Sequence, residues 1–490
     1  MAGADLNSRR QLRFIIIGAG MAGLLAGIRV KEKGDSFVIY EKGEKVGGTW
    51  RENRYPGLTC DVPAHAYTYS FAPNPEWSQF YAPGPEIQRY FEKIADEYGV
   101  RDHIRFNMEV AACRYVDGKW HVTLGDGSTD EADVVIAATG VLHHPRMPDI
   151  PGLDSFAGDS FHSARWDHDV PLDGRRVGVI GNGSTGVQIV SALSKRAAHL
   201  VHFQRSPQWI MPVQNFIYSE TDRHAFRSDV ATIDAIRFGD EYWGGIRRFN
   251  AAIIDADSPE MAEIEAIVLR NLEESVPDPA LREKLRPDYR AACKRLIYSP
   301  DYYEAVQRPN VLVETGGIER IEPEGVRMRD GTLHELDVIA LATGFHADRF
   351  VRPMTVTGDK GADLNQAWAT RATAYYAITV PDFPNLFLLN GPTAPVGNFS
   401  LIDIAERQWA YIDQLVDLLR SGECSAVAAS HEALADYEER RIAAAKQTIF
   451  SSGCTSWYLD AQGVPQTWPW SYDMFADAMA APRLEDFELA

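Results

Sequence analysis

Residues 14–23 read F-I-I-I-G-A-G-M-A-G, and this stretch decides the fold of the first part of the chain. Its apolar start is typical of a β-strand that is buried on both faces. The glycine turn is followed by a helical pattern at 24–33 and by a second apolar strand at 37–40. A strand, a glycine turn, a helix and a strand in this order predict a Rossmann-type dinucleotide-binding fold.

The glycines of this turn, and the acid that ends the second strand, have separate predicted roles. Gly18 permits the tight turn, Gly20 lets the backbone approach a pyrophosphate, and Gly23 lets the helix lie close to the strand. The amide groups at the start of the helix then point toward the phosphates. Glu41 can accept hydrogen bonds from the hydroxyls of an unphosphorylated ribose. The alternative is a glycine-rich turn that binds no ligand.

A second unit with the same order of elements follows at residues 176–203. We expect five residues of its glycine turn to contact a second dinucleotide: Gly181, Gly183, Ser184, Thr185 and Gly186. The last strand of this unit is followed by Arg205 instead of an acid. A carboxylate repels a ribose 2′-phosphate and an arginine attracts it, so we expect FAD at the first unit and NADPH at the second. The alternative interpretation of Arg205 is an ordinary surface cation.

Residues that follow the first unit have a predicted place near the flavin. Gly48 has no side chain and lets the chain pass close to a flat ring system. Trp50 lies in the same run, and we include it among the predicted cofactor-binding residues. Asp61 has two interpretations, a carboxylate in a turn or an acid near the flavin, and its position alone favours the turn.

Length and charge exclude several classes of protein. A chain of 490 residues predicts two or three domains. Its 49 basic and 69 acidic residues give a net charge of −20, which disfavours nucleic acid and anionic membranes as partners. The apolar run at 14–30 is interrupted by glycines, so we expect neither a targeting segment nor a membrane span.

The cysteines are scattered and no two of them form a C-x-x-C pair; they are Cys60, Cys113, Cys293, Cys424 and Cys454. We therefore expect no disulfide framework and no zinc or other metal site, and a reducing cytoplasm fits this composition.

The predicted fold class is α/β, with two Rossmann-like domains, for FAD and for NADP, and a helical insertion. The insertion is predicted because a long segment has few glycines and many Ala, Glu, Arg and Leu residues at helical spacing. The run at 336–344 repeats the strand pattern of 133–140, which indicates that the chain crosses back into the first domain. The expected boundaries are 1–150 for the first part of the FAD-binding domain, 151–218 for the first part of the NADP-binding domain, 219–290 for the insertion, 291–338 for the second part of the NADP-binding domain, and 339–490 for the rest of the FAD-binding domain with the tail.

Residues 156–167 lie between the two units and read F-A-G-D-S-F-H-S-A-R-W-D. This segment resembles the fingerprint F-x-G-x-x-x-H-x-x-x-W-(P/D) of the type I Baeyer–Villiger monooxygenases, and the matching residues are Phe156, Gly158, His162, Trp166 and Asp167. A second family pattern, (A/G)-G-x-W-x-x-x-x-(F/Y)-P-(G/M)-x-x-x-D, resembles residues 47–61 and is matched by Gly47, Gly48, Trp50, Tyr55, Pro56, Gly57 and Asp61. The resemblance covers most of the chain.

The resemblance implies an activity and a role for several residues. Members of this family use NADPH and dioxygen to insert one oxygen atom beside a ketone carbonyl, which gives an ester or lactone through a flavin peroxide and a tetrahedral adduct. By the same resemblance, Lys294 helps to bind the 2′-phosphate of NADPH. It also implies that Arg295 stabilises the peroxide and that Asp61 orients Arg295. His162 is then a residue that couples the positions of the domains, and a catalytic histidine is the alternative.

Other functions stay open on the residues alone. An amine- or sulfide-oxidising flavin monooxygenase uses the same cofactors, and a non-catalytic flavoprotein keeps FAD without turnover. A disulfide-reductase-like enzyme needs a redox-active cysteine pair, which the sequence lacks. The expected partners are a small ketone and dioxygen. The insertion either caps the site or supports the fold, and the tail tryptophans, Trp457, Trp468 and Trp470, either pack the tail or line a substrate entrance.

Overall fold

A computed structural model of the protein describes residues 10–395 and 399–490. The strands, in chain order, are β1 (Arg13–Ile17), β2 (Ser36–Tyr40), β3 (Ile104–Arg105), β4 (Val110–Val116), β5 (Lys119–Leu124), β6 (Thr129–Ala132), β7 (Val134–Ala137), β8 (Asp159–His162), β9 (Arg176–Ile180), β10 (His199–Phe203), β11 (Ile210–Pro212), β12 (Ile297–Ser299), β13 (Val311–Glu314), β14 (Ile318–Glu322), β15 (Gly325–Met328), β16 (Leu333–Glu335), β17 (Val338–Leu341), β18 (Thr355–Thr357), β19 (Leu386–Leu388), β20 (Val427–Ala429) and β21 (Phe487–Leu489).

The α-helices, in chain order, are α1 (Met21–Glu32), α2 (Thr49–Glu52), α3 (Gly84–Glu97), α4 (Ser184–Leu193), α5 (Glu220–Ser228), α6 (Val230–Phe238), α7 (Asp240–Ile254), α8 (Pro259–Ser275), α9 (Pro279–Leu285), α10 (Tyr302–Ala305), α11 (Leu364–Ala367), α12 (Leu401–Ser421), α13 (His431–Ala445) and α14 (Tyr472–Ala478). The helical insertion predicted at 219–290 corresponds to α5 through α9. Its helices pack both on the first domain and on the C-terminal tail.

The first sheet has the strand order β19-β7-β1-β2-β3, and all its strands are parallel. Phe14 of β1 pairs with Phe37 of β2 and with Val134 of β7, and these side chains are buried. The continuous apolar runs of the sequence reflect this burial, because helices cover both faces of a parallel sheet. The glycine turn that follows β1 therefore lies at the carboxyl edge of the sheet, where dinucleotides bind.

The second sheet has the strand order β13-β10-β9-β17-β8 and is also parallel. It contains β17, although the predicted boundary assigned the chain from residue 339 onward to the first domain. That strand pairs with β8 and β9, so the chain leaves the second sheet only after Leu341. The two sheets contain near-identical segments at 134–140 and 338–344, each a buried strand followed by a turn that contains Thr-Gly, and this repetition explains the misplaced boundary.

Two further sheets accompany the parallel ones. One is mixed and has the order β18-β4-β5-β6, with β18 parallel to β4, and the other is antiparallel and has the order β14-β15-β16. The chain passes between the domains along two segments that lie side by side. Pro145 and Phe345 form an isolated antiparallel bridge, and the Arg146 amide donates to the Gly344 carbonyl at 2.8 Å. The two crossings are thus hydrogen-bonded to each other.

The scattered cysteines suggested no disulfide framework, and that expectation missed one bond. Cys293 and Cys454 are bonded, with their Cα atoms 6.1 Å apart and 161 residues between them in sequence. Spacing along the chain could not indicate this pair, because the fold brings the C-terminal tail back onto the segment that follows α9. The remaining cysteines are buried and free: Cys60, Cys113 and Cys424. Within the described ranges, no helix combines the length and apolar character that crossing a membrane requires.

Candidate active site

The first glycine turn is packed so tightly that two of its glycines admit no side chain. Gly18 has φ +100°, and a Cβ atom there would lie 2.6 Å from the Ala138 carbonyl oxygen. A Cβ atom on Gly23 would lie 1.8 Å from the Gly18 carbonyl oxygen. The tight turn and the close helix predicted for these residues are therefore present, and they follow from steric exclusion.

Gly20 is different, because the fold itself leaves room beside it. A Cβ atom on Gly20 would meet only Gly48, whose Cα would lie 3.5 Å away. Gly48 has φ +54°, a conformation that favours glycine. Two backbone segments without side chains thus form an open cradle at the start of α1, and this shape and its free amide groups fit a pyrophosphate. Trp50 lies nearby and donates from Nε1 to the Tyr67 hydroxyl at 3.1 Å.

Glu41 is buried at the end of β2 and contacts the glycine turn. Its Oε2 accepts from the Ala19 amide at 2.8 Å, and its Oε1 accepts from the Gly43 amide at 2.7 Å. Arg51 donates to the same Oε1 at 2.6 Å. The carboxylate therefore fixes the glycine turn through both of its oxygens.

The second glycine turn repeats the geometry of the first. Gly181 has φ +110°, and a Cβ atom there would lie 2.3 Å from the Ala342 carbonyl oxygen. A Cβ atom on Gly186 would lie 2.0 Å from the Gly181 carbonyl oxygen, whereas one on Gly183 would meet nothing within 4 Å. Ser184 and Thr185 begin α4 directly after this open position. The space beside Gly183 fits a second pyrophosphate at a helix N-terminus.

His202 of β10 forms a hydrogen bond with the second glycine turn. Its Nε2 lies 3.1 Å from the Gly181 carbonyl oxygen and its Nδ1 lies 3.1 Å from the Tyr302 hydroxyl. Because a carbonyl can only accept, Nε2 carries the proton and Nδ1 accepts from the tyrosine. Burial lowers the pKa of His202 to about 4, so the ring is neutral at physiological pH.

Two cations and a serine form a cluster beside the second sheet. Arg205 and Ser206 follow β10, and Lys294 precedes β12. Lys294 donates from Nζ to the Ser206 Oγ at 3.2 Å, and its ammonium lies 4.0 Å above the ring of Tyr289. Burial lowers the pKa of Lys294, and the nearby charge of Arg205 lowers it further, while Asp288 opposes both effects. Among the described residues, neither cation forms an ion pair with a carboxylate. Two like charges that lie close together, neither in an ion pair with a carboxylate, are suited to a phosphate.

Asp61 and Arg295 form an ion pair between segments 234 residues apart. The Arg295 side chain is 27% exposed and the Asp61 side chain is 25% exposed. Burial works against the charge on Arg295, but the Asp61 carboxylate and the Tyr458 hydroxyl outweigh it and raise the pKa of the guanidinium. Asp61 is thus the partner of a fixed cation, and the simpler interpretation as a turn carboxylate does not describe it.

A cavity of about 200 Å³ opens beside this ion pair, between the two domains. Residues of both domains line it, among them Gly57, Asp61, Gln188, Lys195, Tyr298 and Asp301. Tyr55 bridges the same boundary, since its hydroxyl donates to the Gln188 Oε1 at 3.0 Å. Asp61, the ion-pair partner of Arg295, therefore lies at the boundary between the two dinucleotide folds.

The fingerprint segment is mostly structural in its contacts. A Cβ atom on Gly158 would lie 2.4 Å from the Asp337 carbonyl oxygen and 2.8 Å from the Phe156 ring, so only glycine fits. Trp166 is buried and packs edge-on against Phe161 at 4.7 Å between ring centroids. Asp167 is exposed and accepts from the Asp169 amide at 2.9 Å, which closes a turn.

His162 ends β8 beside the crossing between the domains. It pairs with Leu341 in β17, and its ring lies 5.8 Å from that of Phe345. The Nδ1 atom accepts from the Ala164 amide at 3.1 Å. Burial lowers the pKa of His162, which favours the neutral ring. The side chain contacts the crossing segment and not the Asp61–Arg295 pair.

Several residues of the site lie outside the sequence motifs. Ser206 follows Arg205 directly, and its contact with Lys294 could have been proposed from that adjacency. Arg165 of the fingerprint forms an ion pair with Glu52 of the first domain. Tyr458 lies against Arg295, and its place in the aromatic tail gave no reason to expect this.

The chain is similar to known flavin-dependent monooxygenases, in agreement with the geometry of the site. Residues 11–219 match the model of the flavin-binding monooxygenase-like family. A Baeyer–Villiger monooxygenase of Streptomyces coelicolor is 40% identical over 464 residues, covering 94% of this chain and 89% of that protein.

Two solved structures superpose on nearly the whole chain. OTEMO in complex with FAD and NADP gives a TM-score of 0.88 at 28% identity and covers 98% of this chain and 99% of its own. The open crystal structure of cyclohexanone monooxygenase gives 0.86 at 29% identity and covers 98% and 100%. With two dinucleotide folds joined by the fingerprint segment, the chain belongs to the Baeyer–Villiger monooxygenase family.

Proposed function

We propose that this protein uses FAD, NADPH and dioxygen to insert one oxygen atom between the carbonyl carbon and a neighbouring carbon of a ketone, giving an ester or lactone. The observation that carries the proposal is the Arg295 guanidinium, held by Asp61 at the boundary between two dinucleotide folds. The two similar solved structures support the proposal. OTEMO was solved in complex with FAD and NADP, and the other structure is a cyclohexanone monooxygenase.

Each cofactor has a proposed set of binding residues. FAD would be held by Gly18, Gly20, Gly23, Glu41, Gly48, Trp50 and Asp61. NADPH would be held by Gly181, Gly183, Ser184, Thr185, Gly186, Arg205 and Lys294. When bound, FAD supplies the electron transfer from NADPH and the activation of dioxygen. The protein supplies position, charge and exclusion of water.

Arg295 has the central proposed role. A guanidinium stays protonated in proteins, so it offers a fixed positive charge and five N–H donors without giving up a proton. In a partly buried site such a charge stabilises negative charge that develops on the reacting oxygen. Asp61 anchors the guanidinium at this place through an ion pair, and its carboxylate keeps the pair of residues close to neutral overall.

His162 has a proposed role in domain geometry, not in proton transfer. Its neutral ring contacts Phe345 in the crossing segment, and it has no described contact with Asp61 or Arg295. Arg165 and Glu52 add an ion pair from the fingerprint to the first domain. Together these contacts would set how the nicotinamide domain faces the flavin domain.

The test is a panel of cyclic and linear ketones, supplied to purified enzyme with NADPH under ¹⁸O₂. The expected product is an ester or lactone whose mass has increased by a single ¹⁸O atom, with one NADPH consumed per product. Sulfides and tertiary amines belong in the same panel. Oxidation of these compounds with no ester from any ketone would replace the proposal by heteroatom oxidation. Retained FAD with no NADPH oxidation would indicate a non-catalytic flavoprotein.

A further inference from the structure

The C-terminal tail returns to the segment that carries Arg295 and is bonded to it there. Cys293 lies two residues before Arg295, and its disulfide partner Cys454 lies four residues before Tyr458. Four residues span at most about 14 Å when extended, so the disulfide limits how far Tyr458 can move from the segment around Arg295.

Tyr458 is held in this place by packing as well. Only 2% of its surface is exposed, and its ring lies 4.5 Å from that of Phe450 and 4.1 Å from that of Trp457. Trp457 itself is 50% exposed, so the tyrosine is the member of this pair that faces inward. Tyr458 belongs to the apolar cluster that joins the helical insertion to residues 291–296.

Tyr458 belongs to the same buried cluster as Ala292 and Leu296, on either side of Arg295 in the sequence, and its hydroxyl is close enough for it and the guanidinium to shift each other's pKa. Burial raises the pKa of this hydroxyl while the arginine lowers it, and the net shift is upward, so the group stays neutral. Arg295 therefore has one charged, hydrogen-bonded partner, Asp61, and one neutral neighbour, Tyr458, on a different part of the chain. A planar group with one partner can pivot about that contact, whereas two partners from separate elements fix its plane.

We propose that Tyr458 is a positioning residue for Arg295 and that the Cys293–Cys454 disulfide holds Tyr458 against it. The proposal rests on the role proposed for Arg295, because a second partner matters only if the orientation of the guanidinium does. No feature of the sequence around Tyr458 suggests this role, which follows from the juxtaposition of a disulfide, a buried ring and a cation.

The first test is Tyr458→Phe, which keeps the ring and removes the hydroxyl. FAD content and the rate of NADPH oxidation are expected to stay within about two-fold of the parent. The ratio of ester formed to hydrogen peroxide released is expected to fall about ten-fold, as for the loss of one hydrogen bond to a charged group. The matched control is Tyr411→Phe, because Tyr411 is equally buried and its hydroxyl has no partner among the described residues.

The second test addresses the disulfide without relying on turnover. Titration of the denatured, unreduced protein with a thiol reagent is expected to find three free thiols of five cysteines. Cys454→Ser is expected to increase deuterium uptake in peptides that cover 449–459 and to lower the ester-to-peroxide ratio in the same direction as Tyr458→Phe. Cys424→Ser, at a buried free cysteine, is the matched control.

The outcomes separate the parts of the proposal. A Tyr458→Phe enzyme with the parental ester-to-peroxide ratio overturns the positioning role. Five free thiols, or unchanged uptake in Cys454→Ser, overturn the role of the disulfide. If the parent forms no ester from any ketone, the proposed function fails instead, and thiol count and deuterium uptake still decide whether the tail is held.

Discussion

The Lys294 ammonium lies 3.2 Å from the Ser206 hydroxyl, so two segments 88 residues apart meet beside Arg205. The contact brings two cations to the carboxyl edge of the second sheet, and neither of them forms an ion pair with a carboxylate among the described residues. Such an arrangement is costly unless an anion is bound there, because like charges repel and partly buried charges lose hydration. We take the 2′-phosphate of NADPH to be that anion.

Cofactor preference follows from this cluster. Arg205→Ala removes one charge-assisted contact, worth about 1.5–3 kcal/mol, or roughly 10- to 100-fold in affinity. The Michaelis constant for NADPH is expected to rise by that factor, while the constant for NADH hardly changes. Steady-state kinetics with both cofactors measure this. Arg196→Ala is the control, since Arg196 is exposed, pairs with Asp173 and lies at the opposite edge of the sheet. Equal losses with NADPH and NADH would refute the phosphate role.

The two open glycine positions predict separate losses. Gly20→Val places a side chain in the first cradle, so the purified protein is expected to be colourless and to contain less than about a tenth of the parental FAD. Gly183→Val places one in the second cradle, so the protein is expected to stay yellow and to bind NADPH poorly. The backbone accepts both changes, because neither Cβ atom would meet protein closer than 3.5 Å. Flavin absorbance and NADPH titration give the readouts, and reversed losses would exchange the two assignments.

Arg295 separates binding from product formation. Arg295→Ala is expected to keep FAD and to oxidise NADPH, but to release hydrogen peroxide in place of ester. Removing a preorganised charge stabiliser lowers rates by about 10²–10³ in known oxyanion sites. Arg295→Lys is expected to restore little, because an ammonium lacks the planar fork. Arg308→Ala, at an exposed pair with Glu304, is the control. Near-parental ester yield from Arg295→Ala would mean that another group has this role.

His162 tests the coupling of the domains. His162→Ala removes the acceptor of the Ala164 amide and the contact with Phe345. FAD content is expected to be unchanged, while ketone turnover falls about ten-fold through misplacement of the nicotinamide domain. The pH–rate profile of the parent is expected to show no ionisation from His162 above pH 6.5, since burial lowers the pKa of this residue. A profile that loses an ionisation near pH 7 in the variant would restore the catalytic histidine.

His65 predicts an acid-sensitive contribution to stability. It is fully buried beside Tyr218 and Phe226, neither ring nitrogen has a partner among the described residues, and burial lowers its pKa to about 4. Because the folded pKa lies below the unfolded value of 6.5, the native state is favoured above pH 6.5 and loses this advantage as pH falls toward 4. Between pH 7.5 and pH 5, the loss from this one group is about 2 kcal/mol.

Urea unfolding of the parent and of His65→Leu at the two pH values measures this effect. The variant is expected to lose about 2 kcal/mol less stability on acidification. At pH 7.5 it is expected to match or exceed the parent, because an unpaired buried polar group has been removed. An identical pH dependence in both proteins would show that His65 does not titrate in this range.

The nucleotide folds could be predicted because their evidence is local. A strand, a glycine turn and a helix occupy about 20 consecutive residues, and the steric demands at Gly18 and Gly181 allow almost no other residue. The helical insertion was equally readable from composition. The place of β17 was not, because two strands with the same pattern belong to different sheets and only pairing distinguishes them.

The site itself could be predicted only in part. Glycines and Arg205 follow from spacing, whereas the pairing of Asp61 with Arg295 joins residues 234 positions apart and was available only through the family resemblance. The disulfide and Tyr458 were missed altogether. Both depend on where the tail lies after the chain has folded, and no periodicity in the tail encodes that position.

The strand order of the first sheet has a consequence for synthesis on the ribosome. Its outer strand β19 comes from residues 386–388 and pairs with β7, whereas every strand of the second sheet has been made by Leu341. Domains usually fold from the N-terminus as they emerge. Here the domain that begins first is completed last. Until Leu388 leaves the ribosome, β7 presents an unpaired, wholly apolar edge, the kind of surface to which other chains add.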